Sequence, residues 1–388
     1  MMETRMITLL LWLLIFLIIY GYFLYPAFLF LLAKLFLKKI GKGEITPNIS
    51  IIFSAYNEAD VIENKIKNLL ELDYPKEKLS IMIGSDGSAD RTNDIVRKFS
   101  NEQVRLFAFE TRRGKAAVLN DLVPQAKGEI IVFTDARQLF AKDALRQLVA
   151  NFADEKIGCV SGELVFHKSE GATAKGVNLY WNYEKFVRRY ESRIHSMLGA
   201  TGAIYAIRAK LFSPLPTDII LDDMYTPLKI IQQGYRAIFD DSAKAFDQVA
   251  TTASEEHRRK ARTLSGNYQI FGFFGRLFIP FLSPIAIQFI SHKLFRVVAP
   301  FILITVFLLN SALIYEPTYR TLFILQIIFY TMALFGALLR NTKYAILKPV
   351  LNLCYAPYVF CLLNFSALVG FWRFAFVKQN VRWEKARK

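Results

Sequence analysis

Hydrophobic positions fall along this chain in three blocks with different spacing. The first, residues 6–32 (MITLLLWLLIFLIIYGYFLYPAFLFLL), runs without one charged residue. It exceeds the roughly 20 apolar residues that cross a bilayer as a helix. A cleaved signal peptide is the competing reading, but the run is too long for one and no small-x-small site follows. Lys34, Lys38, Lys39 and Lys42 follow instead. The positive-inside tendency then puts the next segment in the cytoplasm and the short N-terminus outside.

From about 45 to 265, short apolar runs alternate with amphipathic ones. Residues 49–54 (ISIIFS), 79–84 (LSIMIG), 104–109, 129–134 (EIIVFT) and 158–165 read as strands. Helical periodicity covers Glu58 to Leu72, Ala89 to Phe99 (capped by Ser88 or Asp90), 114–126, Asp143 to Phe152 and Met224 to Gln232. Such alternation predicts an α/β fold, a Rossmann-like and mostly parallel sheet covered on both faces. Ligands of such sheets bind beyond the carboxyl ends of the strands. Residues 174–195 form an amphipathic helix rich in Tyr180, Trp181, Tyr183, Phe186 and Tyr190. Core packing is the commoner fate of such a stripe, and sugar stacking the functional one.

The third block begins near 268. Arg276, Pro280 and Pro284 interrupt residues 268–289, which suits an interfacial stretch better than a spanning helix. Residues 294–314 and 321–339 are long and apolar enough to span. Their loop would lie outside, and Arg340, Lys343 and Lys348 inside. Residues 349–376 are also apolar, but Pro349, Pro357 and the basic tail from Lys378 leave both a crossing and a re-entrant path open. The expected divisions are 1–44, a membrane helix and basic linker; 45–266, the α/β domain; 267–291, interfacial; and 292–388, a membrane region with a basic tail.

Composition agrees with a membrane protein: 53% of the 388 residues are hydrophobic, and the net charge is +16. The basic residues cluster beside apolar spans and no nucleic-acid motif is present, so the partner they point to is the bilayer rather than nucleic acid. Cys159, Cys354 and Cys361 and the four histidines have neither disulfide-framework nor metal-ligand spacing.

Three strand ends carry an acid: Tyr56-Asn57-Glu58, Asp86-Gly87-Ser88 and Asp135-Ala136-Arg137. One acid at a strand end is usually a helix cap or turn former. Three in register make a polar pocket suited to a base, a ribose and a diphosphate.

SIIFSAYNEADVIENKI, IMIGSDGSADRT, RRGKAAVLN and EIIVFTDAR, in that order, resemble the successive signatures of family 2 glycosyltransferases, which have the GT-A fold. GATGAIYAIR, LDDMYTPLKIIQQGYRAIFD and EEHRRKARTLSGNYQ resemble the acceptor half of membrane cellulose, chitin and hyaluronan synthases. The resemblance covers roughly 48–270. It implies a nucleotide-sugar donor of the UDP-sugar kind, with Tyr56, Asn57, Glu58 and Asp86 around base and ribose and Lys115 reaching the nucleotide. It implies that Asp135 is the first acid of a DxD motif that binds a divalent metal, Mg²⁺ or Mn²⁺. Arg137 stands where the second acid belongs; it either contacts the diphosphate itself or points away while water completes the metal shell. Asp223, preceded by Asp222, matches the family's catalytic base. Arg259 and Arg262 fall on the glutamine and arginine of QxxRW, and Thr263 replaces its tryptophan. Gly202, Ala203 and Trp181 are the expected acceptor side.

The implied protein is an inverting, multi-pass transferase of the cell membrane with a cytoplasmic catalytic domain. Its acceptor would be a polysaccharide or a lipid-linked sugar, and a homodimer or partner subunit would complete a path for export. A single-transfer glycolipid or polyprenyl-phosphate enzyme is the alternative within the class. Outside it stands a non-catalytic nucleotide-sugar sensor or scaffold. A transporter would need ionisable groups within the spans, which are nearly free of them.

Overall fold

The computed structural model describes residues 2–35, 38, 40–166, 172–247, 253–339 and 348–377. Lys39, Arg340, Lys343 and the basic tail from Lys378 lie outside them. In chain order the helices are α1 (Met2–Ile19), α2 (Tyr25–Leu35), α3 (Ile62–Leu70), α4 (Thr92–Phe99), α5 (Lys115–Leu122), α6 (Ala144–Ala150), α7 (Ala172–Ile194), α8 (Asp222–Gln232), α9 (Ala253–Phe273), α10 (Ala286–Gln288), α11 (Phe295–Ala312), α12 (Pro317–Leu339) and α13 (Lys348–Phe376). The strands are β1 (Ile49–Ala55), β2 (Leu79–Asp86), β3 (Val104–Phe109), β4 (Ile130–Phe133), β5 (Leu139–Phe140), β6 (Ile157–Phe166), β7 (Tyr205–Arg208) and β8 (Arg236–Asp247).

The chain divides into two units. One comprises residues 32–168, 185–249 and 380–388, the other 1–31, 169–184 and 250–379. In the first, the eight described strands form one sheet in the order β3-β2-β1-β4-β7-β6-β8-β5. Strands β1 to β4 are mutually parallel, as their apolar runs predict. Ile51, Phe53, Ile81, Ile83 and Val132 are fully buried in one continuous core with Ile62, Ile66 and Leu69 of α3. Burying each such side chain is worth roughly 1.5–3 kcal/mol. The sheet is mixed beyond β4: β7 runs antiparallel to β4 and β6, and β5 antiparallel to β8.

Helix α3 is shorter than its periodicity implies. Asn57 has a positive φ of 52°, and the Val61 and Ile62 N–H groups turn back to the Glu58 carbonyl, so residues 58–61 form a turn. Neither Ser88 nor Asp90 is the N-cap of α4: that position is Arg91, without a side-chain cap, and Asp90, one residue earlier, accepts the Thr92 N–H with its Oδ1 at 3.0 Å. The Ser88 hydroxyl instead accepts the Asn57 N–H.

The second unit holds the apolar helices. Among the described residues, four stretches are long and apolar enough to cross a membrane: Thr4–Leu35, Ala286–Ala312, Pro317–Leu339 and Leu353–Phe376. The second begins eight residues before the expected 294, through α10 and a π-helical turn, Phe289–Leu294. Pro280 and Pro284 lie in the non-helical segment before it. Leu11 packs with Ile302, Val306 and Leu313, while Phe23, Leu308 and Leu338 remain exposed, as side chains facing lipid would. Buried Glu184 pairs with Arg296 in this unit.

Candidate active site

Register aligns the functional strand ends. Ala55 of β1 pairs with Ser85 of β2, Asp86 with Phe109 of β3, and Ile52 of β1 with Phe133 of β4. Residues 56–58, 86–88, 110–115 and 134–137 therefore leave the sheet along one edge. Because β7 is antiparallel and pairs Tyr205 with Phe133, the loop that precedes it, carrying Gly202 and Ala203, arrives at the same edge.

Lys115 opens α5 and sits at the centre. Its Nζ lies 2.9 Å from Asp135 Oδ1 and 3.1 Å from Asp222 Oδ2. Burial alone would lower the affinity of this amine for its proton, but Asp135, Asp222 and Asp223 outweigh it and hold the ammonium well above the usual lysine range. An ammonium at a helix N-terminus opposes the dipole, and these carboxylates are what make it tolerable.

Asp222 and Asp223 open α8, where negative charge suits the helix dipole. The two diverge: Asp222 faces Lys115, while Asp223 Oδ2 accepts the Gly202 N–H at 3.0 Å. Pro227 lies inside α8 and has no N–H to give the carbonyl four residues back, that of Asp223. That carbonyl accepts the Ala200 N–H instead, at 2.8 Å. A proline thus ties Asp223 by backbone as well as side chain to the 200–202 loop. A Cβ on Gly202 would lie 3.3 Å from Asp223 Oδ2 and 3.8 Å from Asp135 Oδ2, so the missing side chain leaves room where two carboxylates converge. Burial, with Asp222 and Asp135 adding to it against Lys115 and Arg188, pushes the Asp223 carboxyl up to about 6.

Other expected residues hold the site's loops. Asp86 is buried and accepts the N–H groups of Arg113 and Gly114 at 2.7 and 2.8 Å. Gly87 (φ 69°) lets that loop approach: a Cβ there would lie 2.7 Å from the Arg112 nitrogen. Asn57 Oδ1 accepts from the Ala89 and Asp90 N–H groups, binding the β1 turn to the β2 turn. Glu58 N–H donates to Thr92 Oγ1 at 2.8 Å. The guanidinium of Arg112 stacks on the Tyr56 ring, 3.7 Å from its centroid. Arg137 is exposed, and Ala203 is buried. Trp181, Arg259 and Arg262 belong to the other unit; there Lys260 lies 5.9 Å from the Trp181 ring centroid, and the Arg259 carbonyl accepts the Thr263 hydroxyl.

Two contributors were missed from sequence. Arg112 gave no signal beyond its neighbours' charge. Lys65 did: it falls in the apolar stripe of α3 three residues after Ile62 and four before Leu69, where a solvated lysine has no place.

A divalent ion on a diphosphate needs only one or two carboxylates beside the phosphate oxygens. Asp135 fits that role, with its side chain 35% exposed at the edge of the sheet. The surrounding set of three carboxylates against one ammonium also favours a cation. No group of three or more His, Cys, Asp or Glu among the described residues is arranged to hold a metal unaided.

Residues 50–215 match the family described as glycosyl transferase family 2. Among curated proteins, "Probable glycosyltransferase YdaM" of Bacillus subtilis is 26% identical over 60% of this chain and 58% of its own length. A poly-β-1,6-N-acetyl-D-glucosamine synthase of Staphylococcus aureus is 25% identical over 57% of this chain and 55% of its own. The chain thus spans little more than half of either relative. Among solved structures, the mannosyltransferase PcManGT of Pyrobaculum calidifontis, in complex with GDP-Man and Mn²⁺, superposes with a TM-score of 0.71 at 26% identity. That match covers 95% of this chain and 100% of the other. Motif order, the mixed sheet with its acidic edge and these likenesses converge on one domain: residues 50–215 match glycosyl transferase family 2 on a GT-A-like sheet, with apolar helices on either side in the sequence.

Proposed function

We propose that the protein is an inverting, membrane-embedded transferase that moves a sugar from a nucleoside-diphosphate donor to a glycan or lipid-linked acceptor. The observation that carries this reading is the convergence of Lys115, Asp135, Asp222 and Asp223 at one sheet edge. Asp223 takes the proton of the acceptor hydroxyl as its oxygen attacks the anomeric carbon. The bond from that carbon to the phosphate oxygen breaks, with inversion, and the nucleoside diphosphate leaves. Lys115 meets the charge that develops on it. A divalent ion on Asp135 and the diphosphate would neutralise the same charge as a Lewis acid. The whole-length likeness to a mannosyltransferase bound to GDP-Man and Mn²⁺ supports a nucleotide-sugar donor and a divalent ion. The S. aureus relative favours a second reading, polymer synthesis. The four apolar stretches favour a multi-pass protein, and the basic residues after the first favour a cytoplasmic catalytic domain.

The test is nucleotide release from a panel of UDP- and GDP-sugars by the full chain in lipid, with membrane extract as acceptor, with and without Mn²⁺. Turnover of one donor that requires Asp223 is expected. Tight nucleotide binding with no turnover of any donor would favour a sensor.

The pH dependence follows from Asp223. Its folded carboxyl, near 6, must be ionised to act as base, so kcat/KM should rise with pH through an apparent value near 6 and then level off. Stability moves the other way. Between about 4, where an unfolded aspartate ionises, and 6 the native state holds the extra proton. This group's contribution to stability therefore falls as pH rises through that window and is flat above it. Denaturant midpoints at pH 5 and 7, compared between wild type and Asp223→Asn, isolate the contribution.

A further inference from the structure

Lys65 is wholly buried among Ile62, Ile66 and Leu69, where an apolar side chain of equal length would fill the same space without the desolvation of an ammonium. Its hydrogen bonds explain the charge. Nζ donates to Thr134 Oγ1 at 2.9 Å and to the Gln138 carbonyl at 2.5 Å, and it lies 4.4 Å from the centroid of the Phe140 ring. One turn on, Asn68 donates to the Phe140 carbonyl and accepts the Phe140 N–H, at 3.0 and 2.7 Å. Helix α3 thus grips residues 134–140 at both ends, and the two Lys65 bonds bracket Asp135, Ala136 and Arg137. The Thr134 hydroxyl, accepting from Lys65, donates its own hydrogen to the Ala203 carbonyl at 2.8 Å. The residue before Ala203 is Gly202, whose N–H binds Asp223.

We propose that Lys65 is a positioning residue for transfer, holding from within the core both the segment that carries Asp135 and, through Thr134 and Ala203, the loop that fixes Asp223. The inference rests on the transfer reaction proposed above. Burial pulls the lysine down to about 7 against the pull of Asp135 and Asp247, which fits a group kept for its hydrogen bonds at some electrostatic cost.

The experiment uses the full chain in lipid with the donor that wild type turns over, and measures kcat and KM per folded molecule, with unfolding followed separately. Lys65→Met should lower kcat on the order of 10²-fold, as small misplacements of reacting groups do, with a smaller rise in the donor KM. Binding of the nucleoside diphosphate with Mn²⁺, by calorimetry, should weaken less than kcat falls. Thr134→Val should reproduce the loss, Thr134→Ser should keep turnover near wild type, and the double variant Lys65→Met/Thr134→Val should be no worse than the worse single. If Lys65→Met does not fold, the Thr134→Val and Thr134→Ser pair decides. A Lys65→Met kcat within about twofold of wild type, or equal turnover in both Thr134 variants, overturns the positioning role. Absence of turnover in wild type would count against the transfer reaction itself.

Discussion

Replacing Asp223 by asparagine is expected to lower turnover on the order of 10³-fold, within the range that a general base contributes. The protein should stay folded and keep its affinity for nucleotide. An asparagine carbonyl can still accept the Gly202 N–H that now reaches Oδ2, and the Ala200 N–H goes to the residue 223 main chain, which the change leaves alone. What disappears is the ability to take a proton at neutral pH. The neighbour cannot replace it, because Asp222 faces Lys115. Nucleotide release under saturating donor, beside calorimetric binding of the free nucleotide, separates the two properties. Turnover retained within a few-fold would remove Asp223 from the role of base, while binding lost together with turnover would make its part structural.

Lys115→Met should have the second-largest effect, and it should register in stability as well as activity. Its ammonium is the cation that separates Asp135 and Asp222 at contact distance. Without it three carboxylates share a half-buried edge. Breaking a buried pair costs about 3–5 kcal/mol; with Lys115 at 20% and Asp135 at 35% exposure, a loss of about 2 kcal/mol is expected after allowing for solvent screening. The raised lysine contributes stability that is complete below the unfolded value near 10.4 and lost only as pH climbs through the folded one. The wild-type benefit is therefore whole at neutral pH. In the variant the deficit should be largest where the carboxylates are ionised and should shrink as pH falls through the acid range. Turnover should drop by about 10²–10³-fold, as when one donor to a developing negative charge is removed. Adding Mn²⁺ should raise the melting temperature of the variant more than that of wild type, because the ion finds the acids uncompensated. An unchanged melting temperature together with near-normal turnover would show that the ammonium contributes to neither fold nor reaction.

Much of this was legible in sequence, for local reasons. Strands β1, β2 and β4 are buried along nearly their whole length, so each reads as a mostly apolar run, and the acid that follows or ends each run marks the edge where ligands bind. The four long apolar stretches are equally local, because their composition and length need no partner. Helix ends were harder. Whether residues 58–61 joined α3 depended on the positive φ of Asn57 and on Ser88 and Thr92 some thirty residues away, which no window of periodicity contains.

What only the tertiary structure decided concerns pairs far apart in the chain. Strand β7 is four residues long, too short to announce itself, yet its antiparallel pairing with β4 carries the Gly202 loop to Asp135 and Asp223. Asp86 is expected beside the base, and only the fold shows that its carboxylate also accepts two backbone N–H groups, 27 and 28 residues on. That Pro227 hands the Asp223 carbonyl to the Ala200 N–H depends on which loop packs there. Lys65 stood in plain view on an apolar stripe, but its partners are 69 and 73 residues away. Sequence by itself determined strands β1 to β4 and β6, the helices α3 to α8 in outline and most of the residues that carry chemistry, because backbone propensity and side-chain type are local. Which carboxylate faces the ammonium, which faces a backbone N–H, and which groups are left to meet a substrate depend on the order and direction of strands, and so on contacts that exist only once the sheet has closed.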